Sequence, residues 1–487
     1  MSHQNNENKK NIIGNMKASF SGRKFRSGAY VSILSVVVVV IVLVINMIVS
    51  NFDLKVDVST QSLYTLSKDT QTLVKNLKDD ITIYYLAEAG KENQTLYKVA
   101  EKYDSLSDKI SLESKDPVLY PKFAAQYVDD NVTSDSIILV NKGNNRAKYI
   151  PYSDMLVQEL NQQTYQMQTT GIDVEGEITS AIQYVTNPDL PKMYVVDGHG
   201  EAKPGSAFDA LMAKQNIDVE SISTLTQGSI PEDCDVLYIN APSNDFSEDE
   251  VNMIKDYMNR GGNVLITLNY LAEDLTNFKS LVNYYGVDLV PGFICEGNAN
   301  MHLPNYPHFI VPNIDNHDIT ANATRNKKYV VTPTSTGMQI QDSLRSSLTV
   351  EPLLTTSDSA YSKVDINTNT ASKEADDVDG PFQVGVVATD KYSEKASHMV
   401  VYSSASIFED APISSTQGYG NADILTGTLG YLVGDTSVVT IASKSIMPEQ
   451  IFLTAQQGIL WGALAVVIIP VIILVAGVVV TLKRRRK

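Results

Sequence analysis

Two long runs without a charged residue, one near each end, limit what this chain can fold into more than any other feature. Val31–Val49 (VSILSVVVVVIVLVINMIV) has 19 residues, and Gly458–Leu482 (GILWGALAVVIIPVIILVAGVVVTL) has 25. About 20 apolar residues carry a helix across the hydrocarbon core of a bilayer. Neither run has the polar face of a helix packed on a soluble core, so membrane spans are expected at 31–50 and 458–482. Pro470 lies inside the second run, and membrane helices tolerate such a kink. The first run is longer than the roughly 7–15 residues of a signal-peptide core and reaches Asn51-Phe52-Asp53 without an A-x-A-like site. It reads as an uncleaved anchor.

The chain as a whole has a mean hydropathy of −0.10 and 20% charged residues, so most of it is water-soluble in character. Residues 1–30 hold six Lys/Arg and one Glu, and the tail 483–487 is KRRRK. Basic residues beside a span stay cytoplasmic. The expected topology is therefore two-pass in a cell membrane, with a basic N-terminus (1–30) and tail (483–487) inside and a large extracytoplasmic region outside. The ends carry +10 and the whole chain −17, which leaves −27 on residues 31–482. So acidic a region is not built for nucleic acid or for anionic lipid.

After the first span, Ser67 caps an expected helix, and strands are expected at Ile81–Leu86, Lys109–Ser114, Ser136–Val140 and Ala147–Tyr152. With helices at Asn93–Leu106, Tyr120–Tyr127 and Gly176–Val185, the order β-α-β-α-β-β-α predicts a thioredoxin-like α/β domain over 51–187. A redox enzyme of that plan needs a CxxC after its first strand, where this chain has Ala87-Glu88-Ala89-Gly90. The breaker Asn187–Pro191 precedes a second α/β unit, 188–440. Its strands are expected at Lys192–Val196, Asp218–Ser223, Asp235–Asn240, Asn263–Leu268 and Met399–Ser403, alternating with helices in a mostly parallel sheet. An irregular insertion is expected at about 300–390, with Thr355–Asp379 a polar surface excursion. A linker, 441–457, leads to the second span.

Few patterns for chemistry are present. The sequence holds no G-x-x-x-x-G-K-[ST], no HExxH and no CxxC pair. His302, His308 and His317 lie near Asp315 and Asp318, but in no ligand spacing; they read as loop residues between prolines. No metal and no cofactor is expected. Cys234 and Cys295 read as buried thiols, with pairing left open. A nucleophile elbow, G-x-[SC]-x-G, is missing from the strand ends. The most distinctive motif is Asp197-Gly198-His199-Gly200-Glu201. It follows a strand of an open α/β sheet, where such sheets bind ligands, so Gly198, His199, Gly200 and Glu201 are the candidate ligand or partner contacts. A purely structural turn is the competing reading.

The chain resembles the GldG family, membrane-anchored auxiliary components of ABC transporters of the gliding-motility-associated type. The resemblance is carried by Ser62–Leu86 (SLYTLSKDTQTLVKNLKDDITIYYL), Gly176–Val185 (GEITSAIQYV), Val196–Glu201 (VDGHGE), Asp235–Pro242 (DVLYINAP), Phe246–Ile266 and Gly420–Gly434, in order between the two apolar runs. It implies a glutamine-amidotransferase-like, flavodoxin-like second domain without the catalytic cysteine. It also implies partnership with an ABC permease and a cytoplasmic ATPase, and it maps the family's GHGE stretch onto Gly198–Glu201. The expected function is a non-enzymatic extracytoplasmic accessory subunit that handles an unknown extracytoplasmic substrate. The alternatives are an envelope hydrolase using His199 and Glu201, or a structural envelope scaffold.

Overall fold

The computed structural model describes residues 62–446, apart from 129–131, 162–165, 271–274, 366–369, 414–418, 435–440 and 442, together with helical residues between 30 and 47 and between 470 and 482. Contacts divide the chain into two compact units, Met1–Ser59 and Thr60–Lys487. Of the expected spans 31–50 and 458–482, the described parts, including 34–44, are helical, and the remainder lies outside the described residues. Among the described residues, no helix is long and apolar enough to cross a membrane.

Unit 60–487 is mixed α/β with parallel strands in two of its sheets. The first sheet contains Ile81–Leu86 (β1), Ile110–Lys115 (β2), Ser136–Asn141 (β3) and Ala147–Ile150 (β4), in the order β2-β1-β3-β4. β1 and β2 are parallel, whereas β3 is antiparallel to both β1 and β4. β1 alternates its faces. Ile81, Ile83 and Tyr85 pack with Leu96, Val99 and Tyr103 of helix α2 (Gln94–Leu106) and with Ile178, Ile182 and Val185 of α3 (Val174–Thr186). On the other face Leu86 joins Ala124, Ile138 and Val140. The first helix, α1 (Lys68–Lys75), starts where expected: Ser67 Oγ accepts from Thr70 N at 3.2 Å.

Leu156–Asn161 (β5) and Gln166–Ile172 (β6) form a hairpin that the sequence reading did not contain. Their polar runs, LVQELN and QMQTTGI, lack the apolar alternation that marks a half-buried strand. The expected helix 120–127 is only the single turn Pro121–Ala124.

The second sheet has ten strands among the described residues. Lys192–Val196 (β7), Asp218–Ile222 (β8), Val236–Asn240 (β9), Asn263–Thr267 (β10) and Ser397–Tyr402 (β15) run parallel in the order β8-β7-β9-β10-β15. Runs such as VLYIN and NVLIT are buried along their whole length, as a sheet covered on both faces requires. On one face Met193, Val195, Tyr238 and Leu265 meet Phe208 and Met212 of α4 (Ser206–Lys214) and Leu425 and Leu429 of α7 (Asn421–Val433). On the other, Tyr194, Leu237, Ile239 and Ile266 meet Val251 and Ile254 of α5 (Glu248–Asn259) and Phe278 and Leu281 of α6 (Thr276–Tyr284).

The stretch 300–390 is more regular than its composition suggests. Val287–Val290 (β11), Gly337–Ile340 (β12), Leu348–Thr355 (β13) and Gln383–Asp390 (β14) extend the same sheet in antiparallel pairs, with β14 along β15. Nor is 355–379 purely a surface excursion. Lys363 within it is fully buried and donates to Ser372 O (2.8 Å), Glu374 Oε2 (2.5 Å) and Asp377 Oδ2 (3.2 Å).

The end of the described chain returns to its beginning. Lys444–Ser445 (β16) pairs antiparallel with β6. Lys444 Nζ also meets the buried Glu175 Oε2 at 2.7 Å and the Thr65 carbonyl at 2.7 Å.

Candidate functional site

The parallel strands are visited in the order 2-1-3-4-5, so the chain reverses direction across the sheet between β7 and β9. Open α/β sheets form their ligand crevice at that reversal, outside the carboxyl ends of the strands. The 197–201 turn follows β7 at this point. Gly198 and Gly200 have φ of +135° and +69°, conformations that side chains rarely adopt. A Cβ on Gly198 would sit 2.9 Å from Leu225 Cδ1, and one on Gly200 would sit 3.0 Å from Asn244 Nδ2.

The turn is tied to the loop after β9. Ala202 N donates to Asn240 O at 2.8 Å, and Ser243 N and Asn244 N both donate to His199 O, at 2.9 and 2.8 Å. Ser243 Oγ donates to Gly200 O at 2.9 Å. Glu201 folds back under its own turn: Oε2 accepts from Gly198 N at 3.0 Å and His199 N at 2.8 Å.

His199 is the centre of the arrangement, and it points inward. Its side chain is 3% exposed. Nδ1 lies 3.2 Å from Glu201 Oε1, and Nε2 lies 3.1 Å from Glu250 Oε1. The imidazole stacks on Phe246, with centroids 3.9 Å apart and planes 8° from parallel. Both ring nitrogens are thus committed to buried carboxylates, and one ring face to an aromatic.

Glu250 is held by the start of α5. Ser247 and Glu250 form a reciprocal capping box. Ser247 N and Oγ donate to Glu250 Oε2 at 2.9 and 2.8 Å, and Thr224 Oγ1 donates to Oε1 at 2.7 Å. Burial pushes the Glu250 carboxyl up, but these hydrogen bonds and the neighbouring His199 outweigh it and hold the group below the usual carboxylate range.

The structure therefore keeps Gly198, His199, Gly200 and Glu201 together and divides their roles. His199 and Glu201 side chains are buried, while Asp197, Gly198 and Gly200 are exposed beside Ser243, Asn244 and Leu225. Glu250, Thr224 and Phe246 were not foreseen as part of the site. The S-x-x-E of Ser247–Glu250 was the available signal, but it marks a helix start, not a histidine partner. Each ring nitrogen of His199 faces a carboxylate oxygen of this chain, Glu201 on one side and Glu250 on the other.

The other candidates do not converge. Among the described residues, no group of three His, Cys, Asp or Glu is placed to hold a metal ion. His317 Nδ1 caps a turn by accepting from Ile319 N at 3.1 Å, and burial holds His308 below its ordinary range. Cys234 and Cys295 are buried free thiols, each pushed up by burial to about 11, the opposite of an activated nucleophile.

Residues 190–427, which contain this sheet and turn, match the family model described as "ABC-type uncharacterized transport system". The family fits the resemblance to GldG-like auxiliary proteins, without singling out GldG, and supports an accessory role in an ABC-type transport system. Residues 60–158 match a domain of unknown function, DUF7088. No curated protein matches the chain. Among solved structures, the N-terminal domain of mmIFT52 is similar at 13% identity and a TM-score of 0.39, over 50% of this chain and 98% of that one. PurLQS from Thermotoga maritima is similar at 11% identity and a TM-score of 0.28, over 50% and 99%.

Proposed function

We propose that the chain is a non-enzymatic extracytoplasmic accessory subunit of an ABC transporter, anchored by segments 31–50 and 458–482. On this reading a thioredoxin-like domain (51–187) and an amidotransferase-like domain (188–440) stand outside the membrane. A permease and a cytoplasmic ATPase supply the pathway and the energy. The observation that carries the proposal is the family match of the domain holding the 197–201 turn. The meeting of Thr65 with Lys444 supports the anchoring, because it brings together the two points from which the chain runs toward its apolar segments.

The turn's contribution is a contact surface, not an acid–base centre. Its exposed rim is backbone at Gly198 and Gly200, flanked by Asp197, Ser243, Asn244 and Leu225, and His199 shapes that rim from beneath. Such a rim suits a partner loop or an extracytoplasmic substrate.

Sidedness is directly testable. Both native thiols are buried, so an engineered cysteine reports without background. Lys142→Cys should react with a membrane-impermeant maleimide on intact cells, and Ser2→Cys only after lysis. The reverse pattern would put the folded region in the cytoplasm and end the proposal.

A further inference from the structure

Three consecutive large apolar side chains stand in the open on the first sheet's domain: Val118 is 77% exposed, Leu119 70% and Tyr120 59%. They sit on a built turn. Asp116 Oδ1 accepts from Val118 N at 2.8 Å and Leu119 N at 3.1 Å, and Asp116 O accepts from Tyr120 N at 2.9 Å. Pro117 and Pro121 flank the three residues, so the side chains are presented, not merely left uncovered.

The position of this tip is informative. β1 and β2 end level, with Leu86 opposite Lys115, and the tip follows directly from Lys115. β4 ends at the same pole, since Ile150 pairs with Ile137, and Ile137 with Tyr85. Just beyond β4, Met155 O accepts from Asp173 N at 2.9 Å. Two residues on, Glu175 meets Ser67 N at 2.6 Å and Lys444 Nζ at 2.7 Å. The folded region is thus entered and left at the pole that carries the tip, about 15 Å away across three strand spacings. Only residues 51–61 and 447–457 separate this pole from the apolar segments, and eleven residues reach at most about 40 Å.

We infer that Val118, Leu119 and Tyr120 enter the interfacial layer of the bilayer that receives segments 31–50 and 458–482. The inference rests on the anchoring proposed above. A three-residue projection is far smaller than the roughly 1,000 Å² of a stable protein interface, whereas lipid accepts single apolar side chains and favours tyrosine at the headgroup level. Lys122, exposed next to the tip, suits the headgroups. Insertion would fix the tilt of the domain on the membrane with a third point beside the two chain ends.

The test uses the full chain, alone, in lipid vesicles. Trp461 is the sole tryptophan and lies in the second apolar segment. A Trp461→Phe, Leu119→Trp protein should emit at shorter wavelength than a Trp461→Phe, Lys142→Trp protein, whose probe lies at the opposite pole. It should lose emission when the lipids are brominated high on the acyl chain, while the Lys142→Trp probe should not, since interfacial insertion reaches only about 5–10 Å into the headgroup/acyl boundary. Equal, unquenched emission from both variants would overturn the inference. Wild-type Trp461 separates the causes. Trp461 quenched with Leu119→Trp unquenched leaves the anchor standing and removes the tip contact, while loss of both signals removes the anchor as well.

Discussion

Lys444 Nζ donates to the carbonyl of Thr65 across 379 residues of sequence, and the same ammonium pairs with Glu175, whose side chain is 3% exposed. One side chain thus fastens the last described strand to the first described turn, beside the start of α3. Lys444→Met should leave Glu175 buried without its cation and cost about 3 kcal/mol, the usual consequence of removing one partner of a buried pair. Thermal unfolding of the purified protein checks the size. Hydrogen exchange at 62–67 checks the place, because release of the clasp should expose those amides before the rest of the fold.

His199 is predicted to be a stability residue. His199→Ala removes the group that separates two buried carboxylates, Glu201 and Glu250, and should destabilise the protein by about 3–5 kcal/mol. Pairing it with Glu250→Gln should recover part of that loss, which a double-mutant cycle in urea measures. An alanine variant of unchanged stability would contradict the assignment and return His199 to the list of functional bases.

Two carboxyls give opposite pH signatures. Glu250 has a folded value below its ordinary 4.5, so its contribution is present above 4.5 and is lost as pH falls through the folded value. Glu177 is pushed up to about 7, first by burial and then by the neighbouring carboxyls Asp173 and Asp154, against the lowering effect of Lys214. The folded state then holds a proton that the unfolded state has released, so stability falls as pH rises from about 4.5 to about 7. Glu177→Gln should flatten the neutral side of the stability profile, and Glu250→Gln the acid side. Unfolding titrations from pH 3 to 8 separate the two.

Lys363 is predicted to hold the 364–379 stretch. Its partner Asp377 is 2% exposed at the side chain. Lys363→Met should therefore destabilise the protein and make that stretch the first site of limited proteolysis. Unchanged cleavage kinetics would show that the β-strands alone retain it.

How much of this was legible follows from the kind of signal each feature leaves. The parallel strands of the second sheet were readable because they are short unbroken apolar runs between helical periods, as at Val236–Asn240 and Asn263–Thr267. The 197–201 turn was readable from two glycines after such a strand. The inward aim of His199 was not, because its partner Glu250 is 51 residues away and looks in sequence like an ordinary capping glutamate. The polar hairpin β5–β6, the buried Lys363 and the Lys444 clasp were missed for a shared reason. Each is stabilised by hydrogen bonds or charge pairs across the chain, and those leave no period in the sequence.

The account's central claim is that this chain works as part of an ABC transporter, and co-purification tests it most directly. The tagged full-length protein should be extracted from its native membranes in mild detergent and its companions identified by mass spectrometry. The account predicts an ABC permease and its ATPase in stoichiometric amounts, retained through size-exclusion chromatography. A chain that emerges alone, folded and without either companion, would contradict it.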